Sequence, residues 1–417
     1  MTKRISDTLS RRSFLSGAAA VALTRGMGTS ALLSAGEETP SRILAYVGTY
    51  TELPGPGANG RGIELFEADL HTGKLSPRGV AAPSRNPSWI AVHPSGKSLY
   101  AVNEIADFTG GSGSVSAFAV DSLSGALRAL NIVSSAGAGP AYVSLDAAGK
   151  FAFVANYGGG SIAVLPIRDD GSLGEAVDVH RDQGSIGSTH PSDAPAGSFA
   201  LSGHDAPHAH MIAPDPHNRF VLATDLGQDR IYSYAFDPRT ERLTPAPGAP
   251  FVALPTGDGP RHFAFHPNGR WFYSIQEEAS TVAFFHYDSS TGGLQAQQTL
   301  STLPHGFAGT SFASEILVAP NGRTLYAANR LHDTIAVFSI GSDGRLTYIA
   351  ETSTLGDYPA QCRIDPGGNF LYVCNQRSDN ITSFRIQHDT GLLSFTGSYT
   401  TAGSPGSITF LSVGRTP

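Results

Sequence analysis

Cysteine is almost missing from the chain. Two in 417 residues cannot build a disulfide scaffold. Charge is scarce too, at 15% of residues against a usual ~25%. The formal net charge of −7 removes the basic field that a nucleic-acid binder needs. No apolar run approaches the ~20 residues that span a bilayer. No G-x-S-x-G elbow is present, so a hydrolase serine has no support. Gly96-Lys97-Ser98 looks like the end of a phosphate loop, but Ala91 stands where the first glycine belongs. What is plentiful is glycine and proline, 48 and 27 residues. That composition excludes a coiled coil, an acidic disordered chain and a helical repeat. It fits short strands joined by tight turns.

Residues 1–35 differ from the rest. Arg11-Arg12 precede the short apolar stretch Gly17–Leu23, which Arg25 closes. Paired arginines before such a stretch resemble a twin-arginine export signal. A cleavage site near Leu33-Ser34-Ala35, a linker over 36–41, a folded domain over 42–417 and a periplasmic location are expected.

An internal repeat sets the architecture. An apolar hairpin around a Pro/Gly turn recurs six times, from Pro87, Pro140, Pro207, Pro260, Ala313 and Pro359. Seven short turns ending in leucine alternate with it: Leu75, Leu127, Leu173, Leu243, Leu294, Leu346 and Leu393. Seven outer turns against six inner hairpins leave one hairpin missing. Residues 42–50 read as an inner strand without its partner, and residues 405–413 as the partner. Pairing them completes a seventh unit and closes a ring, leaving no open edge. The sequence predicts an all-β, seven-bladed propeller with four-stranded antiparallel blades.

In such a ring the ends of the second strands and the starts of the first strands meet at one channel mouth, where function concentrates. Most units follow their opening proline with small or apolar residues. Two do not: His208-Ala209-His210 and Arg261-His262. Glu277 and Arg330 fall at the matching ends of neighbouring second strands, with Asn156, Tyr157 and Asn329 at equivalent places. An imidazole, a carboxylate and two guanidiniums around one cavity suit acid–base chemistry on an anionic substrate. The alternative is an ion-pair network with no chemistry. Between Leu173 and Leu243 the spacing stretches to 70 residues, and the insertion near Arg181–Ala206 carries His190 and His204. Long loops at a mouth are often functional. His208-x-His210 lacks an obvious third ligand, so no metal is expected. Cys362 and Cys374 lie on two strands of one hairpin, as buried thiols or as a cross-strand disulfide. Trp89, Phe153, Phe265, Trp271 and Phe272 follow the strand pattern as core.

These segments resemble the bacterial lactonases of the 6-phosphogluconolactonase type, over about residues 42–413. The carriers are Tyr46-Val47-Gly48-Thr49-Tyr50, Pro207-His208-Ala209-His210, Gly259-Pro260-Arg261-His262, Gln276-Glu277 and Asn329-Arg330. The fungal carboxymuconate cyclases look similar. The resemblance implies hydrolysis of a sugar lactone by a monomer without a cofactor. Glu277 would activate water, Arg261 would stabilise the oxyanion and His210 would protonate the leaving ring oxygen. Arg330 would hold an anionic group, with His208, His262, Asn156, Tyr157 and Asn329 as binding residues. A non-enzymatic exported binding module and a carboxymuconate-type cyclase are the alternatives.

Overall fold

A computed structural model describes residues 42–52, 58–192, 194–196 and 203–414. The proposed export signal and linker lie outside these residues. The strands form seven antiparallel sheets arranged as a seven-bladed propeller. Blade 2 shows the plan: Trp89–Val92, Ser98–Asn103, Ser114–Val120 and Leu127–Ser134, in that order outward from the channel. Blade 1 is the closure. Its innermost strand is Pro405–Val413, which pairs with Arg42–Thr49 from Arg42 opposite Val413 to Thr49 opposite Pro405. The two ends of the domain therefore satisfy each other's backbone groups, as the repeat count requires.

Burial explains the strand sequences. Each second strand is sandwiched between neighbouring blades and reads as an unbroken apolar run. Ser98–Asn103, Phe151–Asn156, Phe220–Asp225 and Phe370–Asn375 are buried at every position. Fourth strands lie at the rim and alternate, as in Leu346–Ser353, because one face meets water. Phe153 and Phe272 are fully buried, each worth roughly 1.5–3 kcal/mol of apolar burial. Trp271 and Phe265 are only partly covered.

The Leu-ended outer turns also fasten blade to blade. The second-strand tyrosine of one blade donates to the turn glycine carbonyl of the next. Tyr46 reaches Gly125 O at 2.8 Å, Tyr100 Gly171 O at 3.0 Å, Tyr273 Gly344 O at 2.8 Å and Tyr326 Gly391 O at 2.8 Å. Gly125 has φ +76, and a Cβ there would lie 2.2 Å from Leu44 Cδ1. Both the left-handed backbone and the close approach require glycine.

Blade 4 keeps the four-strand plan with its fourth strand in two pieces, for Arg242–Pro245 and Phe251–Ala253 pair with successive halves of Arg230–Asp237. Pro245, Pro247 and Pro250 lack the N–H that a continuous strand would donate. The cysteines do not face each other: Cys374 lies opposite Gln361, and Cys362 opposite Val373. Side chains alternate along a strand, so the two free thiols enter different core clusters.

Candidate active site

A cavity of about 160 Å³ opens at the channel mouth. Strand register explains its walls. The residue that closes or directly follows each second strand turns inward. Tyr50, Glu104, Tyr157, Glu277, Arg330 and Gln376 all line the cavity from this position. Blade 4 alone differs, for Leu226 there is buried against Gly203 of the insertion.

The second set comes from bulges in the first strands. Pro140 pairs with Asn156 and Tyr142 with Ala155, leaving Ala141 unmatched. The same irregularity frees His210, Arg261, Ala360 and Gly406. A bulge bends the strand and re-aims a side chain, and these five residues all line the cavity. The register also separates the two histidines. Ala209 opposite Asp225 takes the place that Pro260 takes opposite Gln276, so His210 is the counterpart of Arg261.

Glu277 lies at the centre of the charge arrangement. Its Oε2 is 2.8 Å from Arg261 Nε and 2.5 Å from Arg330 Nη2. All three side chains are largely buried, at 8–11% exposure. Backbone bonds hold the carboxylate in place: Glu277 N donates to Gly259 O at 2.7 Å, and Ala313 N to Glu277 O at 3.0 Å. Arg261 also donates to Ser314 O. Arg330 donates to Tyr358 Oη at 3.2 Å and Ala313 O at 3.3 Å. Burial opposes the Arg330 charge, but Glu277 and Tyr358 outweigh it and raise its pKa. Burial and Arg330 lower that of Arg261, yet a guanidinium stays protonated in proteins.

His210 is pushed well below the usual imidazole range, by burial first and then by Arg261, His262 and Arg330. It is uncharged at neutral pH. His262 is shifted the same way by burial and both arginines. On the opposite wall Tyr50 Oη donates to Glu104 Oε2 at 2.9 Å. Burial raises the Glu104 pKa against the opposing pull of Tyr50 and Arg261.

Below this tier lies a second, from the next first-strand position. Trp89, Tyr142 and His262 pack ring to ring, with centroids 4.3–5.3 Å apart, and His262 Nδ1 meets Glu315 Oε1 at 3.1 Å. Burial lifts Glu315 to about 7. Trp89, read from the sequence as core, is both core and cavity wall.

The structure thus brings His210, Arg261, His262, Glu277, Arg330 and Tyr157 to one cavity. It places the other named residues elsewhere. His208 stacks on Tyr157 at 4.3 Å, and its nitrogens meet Tyr157 O at 2.8 Å and Asp205 Oδ1 at 2.9 Å. Asn156 and Asn329 are fully buried outside the wall, bonded to Ser135 O and Thr302 O. From the insertion, His190 is exposed while His204 is buried against Asp229 at 3.1 Å. Tyr50, Glu104 and Gln376 lie at second-strand ends, the positions expected at the mouth, but nothing in their residue types singled them out. Glu315 was missed; its signal was the acidic residue in an otherwise apolar strand start. Among the described residues, no cluster of three or more His, Cys, Asp or Glu is placed to hold a metal ion.

This ring of blades, with its polar groups at one mouth, matches the family model of the seven-bladed β-propeller lactonases over residues 44–410. The chain belongs to that family. Among individual relatives, a 6-phosphogluconolactonase of Bacillus subtilis is 33% identical over 76% of this chain and 84% of its own length. A solved periplasmic gluconolactonase of Pseudomonas aeruginosa superposes with a TM-score of 0.80 at 32% identity, covering 89% of this chain and all of that one. A putative 6-phosphogluconolactonase of Bacteroides fragilis gives 0.79 at 32% identity, covering 89% and 99%.

Proposed function

We propose that the protein hydrolyses a sugar lactone in the mouth cavity, as the names of its relatives indicate for them. The observation that carries this reading is the buried Arg261–Glu277–Arg330 triad beside an uncharged His210. Two fixed guanidiniums aimed at one point stabilise an oxyanion as it forms on the lactone carbonyl, and preorganised charges of this kind act mainly in the transition state. Glu277 takes the proton of the attacking water. An uncharged His210 is a poor source of the proton that the ring oxygen needs. In this reading it hydrogen-bonds the substrate, in place of the proton-donor role that the family resemblance implied.

The test is a panel of glucono-δ-lactone and its 6-phosphate, measured above their spontaneous hydrolysis. Turnover that disappears in Arg261→Ala supports the enzyme. Saturable binding without turnover by the wild type would replace it with a binding module.

We also propose that the protein is exported. The paired arginines at 11 and 12 and the periplasmic P. aeruginosa neighbour support this reading. Changing Arg11 and Arg12 to lysine should leave the protein in the cytoplasmic fraction. Unchanged fractionation would remove the proposal. Among the described residues no helix is long and apolar enough to cross a membrane.

A further inference from the structure

The cavity holds a second carboxyl group, Glu104, in surroundings unlike those of Glu277. Glu277 is flanked by two guanidiniums within 2.8 Å. Glu104 has a phenol as its near partner, with Tyr50 Oη 2.9 Å from Oε2. Ser88 and Trp89 line the same cavity beside it. The groups whose charge or polarity acts on it are Tyr50, Ser88 and Arg261. Its backbone is fixed on both sides: its N–H donates to Asn86 O at 3.0 Å, and its carbonyl accepts from Asn86 Nδ2 at 3.2 Å. Arg261 acts on both carboxyl groups: its Nε is 2.8 Å from Glu277 Oε2, and its charge favours the ionised form of Glu104.

We infer that Glu104, oriented by Tyr50, is the catalytic acid that gives the departing ring oxygen its proton. This rests on the lactone-hydrolysis reading above and completes it. Water adds to the carbonyl carbon and loses a proton to Glu277. The tetrahedral intermediate then collapses, the bond from the acyl carbon to the ring oxygen breaks, and that oxygen takes the proton of Glu104. Glu277 afterwards releases its proton and Glu104 regains one from solvent, so one lactone and one water become one hydroxy acid. Two carboxyl groups held in unlike environments divide into base and acid in this way. Burial favours the protonated form of Glu104, which is the form the step requires.

The experiment measures kcat and KM for glucono-δ-lactone across pH, corrected for spontaneous hydrolysis, in wild type, Glu104→Gln, Glu104→Asp and Tyr50→Phe. Glutamine keeps the shape and cannot deliver a proton. The expected result for Glu104→Gln is a kcat lower by about 10²-fold with KM little changed, and loss of the alkaline limb of the kcat profile. Glu104→Asp should restore part of the rate and the limb. Tyr50→Phe should move the limb. Three results would overturn the assignment: a Glu104→Gln kcat within about threefold of wild type, an effect confined to KM, or an alkaline limb that survives. A wild type that turns over no lactone would instead bring down the functional reading itself, so the two failures are distinguishable.

Discussion

Two rings of residues sit one position apart at the ends of the second strands, and they do opposite work. The first ring is Thr49, Asn103, Asn156, Asp225, Gln276, Asn329 and Asn375, all buried. Its side chains hold the blade ends together. Asn103 donates to Arg85 O at 2.7 Å, Asn156 to Ser135 O at 2.9 Å and Asn329 to Thr302 O at 2.9 Å. The next ring supplies the cavity wall from six of its seven positions. Successive side chains along extended backbone point to opposite sides, so one step separates structural polarity from exposed chemistry. The recurring asparagine is the conspicuous feature in the sequence, but the variable residue after it is the one that faces the cavity.

The sharpest way to break this contrast is to exchange the two kinds of loss. Glu277→Gln should reduce lactone kcat by about 10²-fold or more while the circular dichroism spectrum stays that of the wild type. Full activity in a folded Glu277→Gln protein would dissolve the distinction from the catalytic side. Asn329→Ala, one residue before Arg330, should do the reverse. It strands Thr302 O, while the Thr302 hydroxyl loses Asn329 Oδ1 at 2.6 Å and keeps Ser280 O at 2.9 Å. The expected cost is roughly 1–3 kcal/mol of stability for buried unsatisfied groups, read from urea unfolding, with kcat within about threefold. A collapse of kcat at full stability would place Asn329 in the site after all.

The deeper tier sharpens the comparison through pH. Glu315 is raised from 4.5 to about 7 by burial, so between those values the folded protein holds a proton that the unfolded chain has lost. Stability from this group is complete below about pH 4.5 and drains away as pH rises toward 7. Wild type minus Glu315→Gln, followed as Tm against pH, should therefore decline over that window. A flat difference would remove Glu315 as a titrating group. The smallest effect belongs to the blade fasteners: Tyr326→Phe loses the bond to Gly391 O and should cost about 1 kcal/mol at unchanged activity.

Much of the fold was legible because it repeats. The Leu-ended turns and apolar hairpins are local patterns, and their unequal numbers forced the closure that the Arg42–Thr49 and Pro405–Val413 pairing displays. The Tyr-to-glycine fasteners were not legible, since each joins residues 65–79 positions apart. Of the site, the charged groups stood out as exceptions in the repeat. His208 and His210 could not be separated on spacing alone, because the bulge that frees His210 exists only in the paired strands. Glu104 and Glu315 went unranked because what distinguishes them is their surroundings: a phenol beside one, a buried imidazole beside the other.

By itself the sequence determined the number of blades, the strand order and the way the ring closes. Those follow from hydrophobic period, turn chemistry and a count of units, all properties of short stretches of chain. Only the tertiary structure decided which polar residues meet. Bulge positions, the pairing of Glu277 with one guanidinium from its own blade and one from the next, and the burial that neutralises His210 depend on how separate strands come together in space. Electrostatic coupling and desolvation are set by those distances and by what excludes water.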